Sequence, residues 1–387
     1  MTSARGGKPK RVGIVGAGIA GLAHAWSAAQ RGHQVTVFER APKASGASIR
    51  NFGMIWVIGQ PDHLQSIAMN SRDRWIQAAE QAGFWIATCG SLHLAHHDDE
   101  WQVLSEYLSE HQDTPRAEHL RLLDRSETLG RTPGANPDGL RGSLWSDTEC
   151  CVDPTSAVRS IPAWLHRQYQ VEFNFSTAVT QVETGRVRTG DNKQHRFDQI
   201  VICSGDDLAT LFPEVYQGIP IRPCKLHMMR TVEQPQGWRI GPHLAGGLTL
   251  RHYPNFRGCP TLRALQQRIA QESEHLDRLG IHVMASQNHL GQVVLGDSHQ
   301  YGDEVEPFDT SDIDQYILRE LIKIIHLPTW DLQARWHGIY AKYTGGLVFE
   351  QTVAPGVTVF TGLGGNGMTL SFGLAEDAWS RWETASF

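Results

Sequence analysis

Residues 11–21 read RVGIVGAGIAG, and LAHAWSAAQRG carries the chain on to Gly32. A short β-branched run ends in Gly16-Ala17-Gly18-Ile19-Ala20-Gly21, a G-x-G-x-x-G that opens a helix-like stretch. A second β run, Gln34 to Phe38, ends at Glu39. Strand, glycine turn, helix, strand and an acidic residue about twenty positions on form the pattern of a dinucleotide-binding βαβ unit. Gly16 permits the tight turn, Gly18 lets a pyrophosphate approach the backbone, and Gly21 lets helix and strand pack closely. The helix N-terminus offers free N–H groups and partial positive charge to phosphate. Glu39 suits adenosine ribose hydroxyls, where an Arg would suit a 2′-phosphate. Ile19, Ala20 and Arg40 complete this end of the expected site.

The fingerprint alone does not separate NAD from FAD. Two other stretches do. IVICSG (200–205) is an apolar strand ending in Cys203, Ser204 and Gly205, and VTVFTGLGGNGMTLSFGL (357–374) is a strand, a glycine-rich turn and a second helix start. A flavin ring lies far from its adenine, so a second helix N-terminus can face the ring's pyrimidine end, which carries negative charge when reduced. The expected cofactor is FAD, with Gly362, Gly364, Gly365, Asn366, Gly367 and Met368 at the ring end and Val179, in the β-like AVTQVE, beside the cofactor.

At 387 residues the chain exceeds what one hydrophobic core usually supports, so two domains are expected. Hydrophobic residues at 40% and charged residues at 20% describe a globular protein, and a net charge of −6 argues against a nucleic-acid surface. No apolar run reaches the ~20 residues of a membrane span. The six cysteines include no C-x-x-C, so a reducing, cytoplasmic setting is expected, and the vicinal Cys150–Cys151 is read as incidental. The start mimics a signal peptide ending Ala23-His24-Ala25, but cleavage there would destroy the glycine motif. Nineteen histidines show no H-x-x-x-H helical spacing, so no metal is expected.

With motifs at both ends and in the middle, the chain resembles the D-amino-acid oxidase family of FAD oxidoreductases, which includes glycine oxidase and sarcosine oxidase. ASIRNFGMIWVIGQP (47–61) and VVLGDSHQYG (293–302) further resemble a narrower group of FAD-dependent oxidoreductases associated with bacterial aminophosphonate catabolism. The resemblance implies an α/β fold: a discontinuous Rossmann-like FAD-binding domain over 1–90, 150–220 and 335–387, and an α+β substrate domain on a mixed or antiparallel sheet over 91–149 and 221–334. KLHMMRTV, LTLRHY, HVMASQN and QVVLGDS read as β-like, and 261–279 and 311–325 as helical.

The resemblance implies oxidation of an amine. Hydride leaves the carbon next to nitrogen for flavin N5, and the protein contributes placement and charge complementarity. Amino-acid members hold the substrate carboxylate with an Arg in a G-L-R-P-like segment. The matching segment here is Gly338-Ile339-Tyr340-Ala341-Lys342, with Tyr340 in the Arg position. A different anion is therefore expected, a phosphonate foremost, held by several donors. The candidates are Arg251, His252, His299, Arg335, His337 and Lys342, with Tyr253, Tyr340 and Tyr343 as hydroxyl donors. The favoured substrate is an N-alkylated 2-aminoethylphosphonate, with oxygen as expected acceptor. A glycine- or sarcosine-type oxidase and a non-catalytic electron-transfer flavoprotein are the alternatives.

The loop SGASIRNFGM (45–54) follows Glu39. Ser45, Ala47 and Ser48 are small enough for close approach to pyrophosphate or ribityl. Arg50 serves either flavin or substrate, and Asn51, Phe52, Gly53 and Met54 are expected near the isoalloxazine face.

Overall fold

Strand Arg11–Val15 pairs in parallel with Gln34–Phe38 on one side and Gln199–Ile202 on the other. Val12 and Ile14 are fully buried, as a parallel strand covered on both faces requires. The computed structural model describes residues 8–302 and 305–384; the first seven residues of the expected 1–90 segment lie outside the described residues. The sheet extends to six strands in the order Phe349–Ala354, Val357–Thr361, Gln199–Ile202, Arg11–Val15, Gln34–Phe38, Glu172–Asn174. Only the edge strand Phe349–Ala354 is antiparallel. Helices Ile19–Gln30, Gln65–Ala82, Pro154–Tyr169 and Gly367–Thr384 share one core, in which Trp26, Trp75 and Trp379 have no solvent exposure. A three-stranded meander, Val179–Glu183, Arg186–Thr189 and Gln194–Arg196, belongs to a second core that contains Phe38, Ile200 and Ile202.

The glycine turn is dictated sterically. Gly16 has φ +100°, and a Cβ there would stand 2.3 Å from the Cys203 carbonyl oxygen. A Cβ on Gly21 would stand 1.9 Å from the Gly16 carbonyl oxygen. Both contacts are closer than any real Cβ, so the turn, the helix and the neighbouring strand fit only with glycine.

A nine-stranded sheet forms the other half. Its path runs Gln300–Tyr301, Ile221–Glu233, Gln292–Gly296, Met284–Gln287, His243–Ala245, Ser91–Ala95, Gly142–Ser146, Leu120–Asp124, and Leu332–Tyr343 pairs with Ile221–Glu233. The sheet is mixed: His243–Ala245 and Ser91–Ala95 run parallel and the other pairs antiparallel. Helices Asp98–His111, Leu262–Glu272 and Ser311–Ile324 bury apolar faces in its core. This is the expected α/β fold with a mixed second sheet.

Two expectations shift. Leu332–Tyr343 is one continuous strand of the nine-stranded sheet, so the boundary expected at 335 falls inside a strand. The run LTLRHY is not a strand: Gly247–Leu250 is a helical turn, with the Thr249 hydroxyl donating to the Val283 carbonyl at 3.2 Å. A short apolar run fits either period, and here the tertiary hydrogen bond decides. Among the described residues, no helix is long and apolar enough to cross a membrane.

Candidate active site

A cavity of about 810 Å³ runs from the first glycine turn, past the second, to the underside of the nine-stranded sheet. Its first end is lined by Gly16, Gly18, Ile19, Ala20, Glu39 and Arg40. Glu39 accepts the backbone N–H of Ala17 through Oε2 and that of Ala41 through Oε1, each at 2.9 Å. These bonds fix the carboxylate at the cavity edge. Arg40 pairs with Asp207 at 2.8 Å. Helix Ile19–Gln30 has no acidic residue in its first turn, so its positive end favours an anion.

The 45–54 segment crosses from this end to the second sheet. Ser48 accepts the Ile19 N–H at 2.9 Å, which pins the loop on the helix N-terminus. Asn51 is the internal staple: its Nδ2 donates to the carbonyls of Ala47 and Ser48, and its Oδ1 accepts the Gly53 N–H at 2.8 Å. Trp336 Nε1 donates to the Arg50 carbonyl at 3.3 Å, tying the loop to the second sheet. Ser45, Ala47, Ser48, Arg50, Asn51 and Phe52 line the cavity. Gly53 and Met54 depart from expectation. Met54 pairs with Cys151 and packs into the core of the second half, and Gly53, at φ +75°, bends the chain away from the cavity after Phe52.

The middle and far wall come from Val179, Cys203, Ser204 and Gly205, and from the second glycine turn, Gly362, Gly364, Gly365, Asn366, Gly367 and Met368. Asn366 is held by the Gln60 amide at 3.2 Å. Helix Gly367–Thr384 starts at this wall with no acidic residue in its first turn.

The roof carries most of the ionisable groups. Tyr340 and Lys342 project from Leu332–Tyr343 into the cavity. Arg335 and His337 project elsewhere: Arg335 lies 3.5 Å from Asp314, and His337 3.0 Å from Asp309. The strand's period of two separates the pairs, so neither Arg335 nor His337 belongs to the site. Tyr343 packs edge-on against Phe349. Arg251 touches the cavity, but its guanidinium is committed to Asp277 and to the Ile281 carbonyl. His252, Tyr253 and His299 line the roof as expected, and His282, Asp297, Tyr301 and Arg257, which the sequence reading passed over, join them. Asp297 stood inside the quoted VVLGDSHQYG; His282 carried no local signal.

Burial governs this end. It pushes Asp297 well above the usual carboxylate range and His252 and His282 well below the imidazole range, and lowers His299 to about 4. It also raises the Tyr340 hydroxyl and lowers Lys342. Tyr340 therefore remains a protonated donor. A Cβ on Gly365 would lie 3.6 Å from its hydroxyl, and one on Gly364 would lie 2.4 Å from Lys342 Cδ, so both side chains reach the second glycine turn.

The sequence profile of the family described as "FAD dependent oxidoreductase" matches residues 11–379. The chain is 26% identical over 306 residues to FAD-binding monooxygenase trt3 of Aspergillus terreus, covering 71% of this chain and 43% of that protein. It is 25% identical over 232 residues to an opine oxidase subunit of Agrobacterium tumefaciens, covering 56% of this chain and 62% of that one. The chain thus spans about half the length of these curated relatives. Glycine oxidase from Geobacillus kaustophilus shares the fold, with a TM-score of 0.73 and 18% identity over 97% of this chain and 95% of that one. The cradle fits FAD: both glycine turns abut one continuous cavity, and both flanking helices turn ends free of acidic residues toward it.

Proposed function

The chain belongs to the FAD dependent oxidoreductase family, and from that premise we propose that it oxidises an amine bearing an anionic group, an N-alkylated 2-aminoethylphosphonate foremost. The reading rests on Tyr340, buried where amino-acid-oxidising members are expected to carry a carboxylate-binding Arg, under a roof that adds Lys342, Arg257 and three imidazoles. A phosphonate offers three acceptor oxygens and close to two charges, which suits several converging donors better than one guanidinium fork.

The residues at 16–21, 39–40, 45–52 and 362–368 would hold FAD, which, when bound, supplies hydride acceptance at N5 from the carbon beside nitrogen. Tyr340 donates its hydroxyl to the substrate's anion. Lys342 and Arg257 fix the anionic end by charge. The imine product then hydrolyses to an aldehyde and an amine. Oxidation of the ethyl carbon gives phosphonoacetaldehyde and the alkylamine; oxidation of an N-methyl carbon gives formaldehyde and 2-aminoethylphosphonate. Oxygen would then take up the electrons as hydrogen peroxide.

The test is anaerobic flavin bleaching by the FAD-loaded chain with N-methyl-2-aminoethylphosphonate, glycine and sarcosine, followed by aldehyde and peroxide assays in air. Bleaching by the phosphonate amine alone is the expected result. Bleaching by glycine or sarcosine alone overturns the substrate assignment, and bleaching by none of them overturns the amine reading.

A further inference from the structure

Three imidazoles crowd one corner of the roof. His252 and His282 have ring centroids 4.0 Å apart, His252 and His299 4.4 Å, and His282 and His299 5.0 Å. His282 and His299 are 3% and 6% exposed, and Asp297 4%. Asp297 Oδ1 lies 3.0 Å from His282 Nε2 and 3.7 Å from His299 Nδ1. None of these contacts is aligned as a hydrogen bond: both ring nitrogens of His282, Nδ1 of His299 and Oδ1 of Asp297 are buried without a hydrogen-bond partner. A buried polar atom left without a hydrogen-bond partner is costly. A corner with four such atoms, opening on the cavity, is built for a polar guest.

We propose that His252, His282 and His299 form the subsite for the substrate's phosphonate, and that binding of this dianion is coupled to uptake of a proton by the histidine cluster. The assignment rests on the substrate reading above.

The sign of the guest's charge follows from geometry. The facing ring atoms lie within 4.8 Å of one another, a spacing that invites a metal ion. However, the rings lie partly face to face, with interplanar angles of 34°, 45° and 23°. Stacked imidazoles point their in-plane lone pairs along similar planes, whereas a metal needs them aimed at one point. Lys342, Arg257 and Arg251 also border this corner and repel a dication. An anion meets attraction from the same groups.

The proton follows from burial. The free corner keeps its imidazoles neutral, because desolvation and mutual repulsion, with Lys342 and Arg251 adding to it, penalise the charged forms. A dianion within about 4–6 Å reverses that balance and favours imidazolium. The proton comes from solvent and stays on a ring nitrogen, donating to a phosphonate oxygen. Asp297 remains protonated, since a second anion beside the guest is disfavoured. The other groups facing the corner are Tyr253, Tyr301, Tyr340 and, behind them, Cys224, all raised by burial and so neutral. A monoanionic carboxylate stabilises imidazolium less, so the cluster selects for charge as well as shape.

The experiment is calorimetric titration of the FAD-loaded full chain with methylphosphonate and with acetate, near about pH 8, in buffers of differing ionisation enthalpy. Methylphosphonate should bind at least about tenfold more tightly than acetate, with uptake of about one proton. His282→Asn and His299→Asn should each weaken methylphosphonate about tenfold and reduce the proton uptake, with flavin content and melting temperature retained. Binding without proton uptake, or unchanged affinity in both folded variants, overturns the proposal. So does stoichiometric Zn²⁺ uptake that His282→Asn abolishes. Failure of the substrate reading is separable. Methylphosphonate binding as described, with no turnover of N-methyl-2-aminoethylphosphonate, supports the anion subsite while sinking the substrate reading. Turnover of that amine with unchanged kinetics in both histidine variants sinks the subsite alone.

Discussion

The Ser48 hydroxyl accepts the backbone N–H of Ile19 at 2.9 Å, so the loop between the two sheets is fastened to the same helix end that faces the cavity. Ser48→Ala strands that N–H and loosens the loop, at a cost of about 1 kcal/mol. FAD affinity should fall about fivefold with little change in fold, read by flavin fluorescence on dilution. Unchanged affinity would show that the loop holds its position without this bond.

Gly16 allows no side chain. Its φ of +100° and the 2.3 Å approach of a Cβ to the Cys203 carbonyl set backbone against backbone, which cannot give way cheaply. Gly16→Ala should destabilise by about 3 kcal/mol or more. The outcome is a colourless protein with a markedly lower melting temperature; a yellow protein of normal stability would contradict the steric account.

Acid should loosen the chain through buried neutral histidines. Burial lowers His24 from 6.5 to about 3, with both ring nitrogens unpartnered between Phe360 and Trp382. His93 falls to about 3 and His243 to about 4 for the same reason. Between those values and 6.5, unfolded histidine binds a proton and folded histidine does not, so stability declines as pH drops. Each contributes up to about 1.4 kcal/mol per pH unit. His24→Phe should shrink the drop in melting temperature between pH 7 and pH 5; an unaltered drop would place the acid sensitivity elsewhere.

Tyr340→Arg restores a guanidinium to the roof. If the substrate assignment holds, preference should move toward carboxylate amines such as sarcosine by about tenfold in kcat/KM. The paired change Lys342→Met should raise KM for the phosphonate amine about tenfold while leaving flavin bound. Identical selectivity in Tyr340→Arg would remove Tyr340 from substrate recognition.

The thiols should be inert in the native chain. Burial pushes Cys150 up to about 11 and Cys151 up to about 12, and Cys151 Sγ lies 3.2 Å from Ser286 Oγ. Thiolate is the reactive form. Iodoacetamide should label neither residue until the chain is denatured, as peptide mass analysis would report; native labelling of Cys150 would revive a role for the pair.

The glycine turns were legible because their logic is local: a strand, a turn that tolerates only glycine and a helix start lie within one short window. The roof was only half legible. His252, His299, Tyr340 and Lys342 stood out by chemistry, yet His282, Asp297 and Tyr301 join them only where the fold brings distant segments to one cavity, and Arg257 joins from a turn without a motif. Arg335 and His337 share the strand of Tyr340 and Lys342, and counting by twos along HGIYAK separates them. Gly53 and Met54 followed the loop's composition, but the bend at Gly53 and the pairing of Met54 with Cys151 set their direction. LTLRHY was too short for periodicity to distinguish helix from strand.

The six-stranded sheet takes strands from residues 11–38, 172–202 and 349–361, and the nine-stranded sheet takes its own from between them. No single cut in the chain frees one half without severing the other. Descent from this scaffold therefore cannot proceed by swapping an intact module for a new specificity. It must work through point replacements on surfaces that already meet, and the inward face of Leu332–Tyr343, one residue in two, is where such a lineage can change its diet without rebuilding its frame.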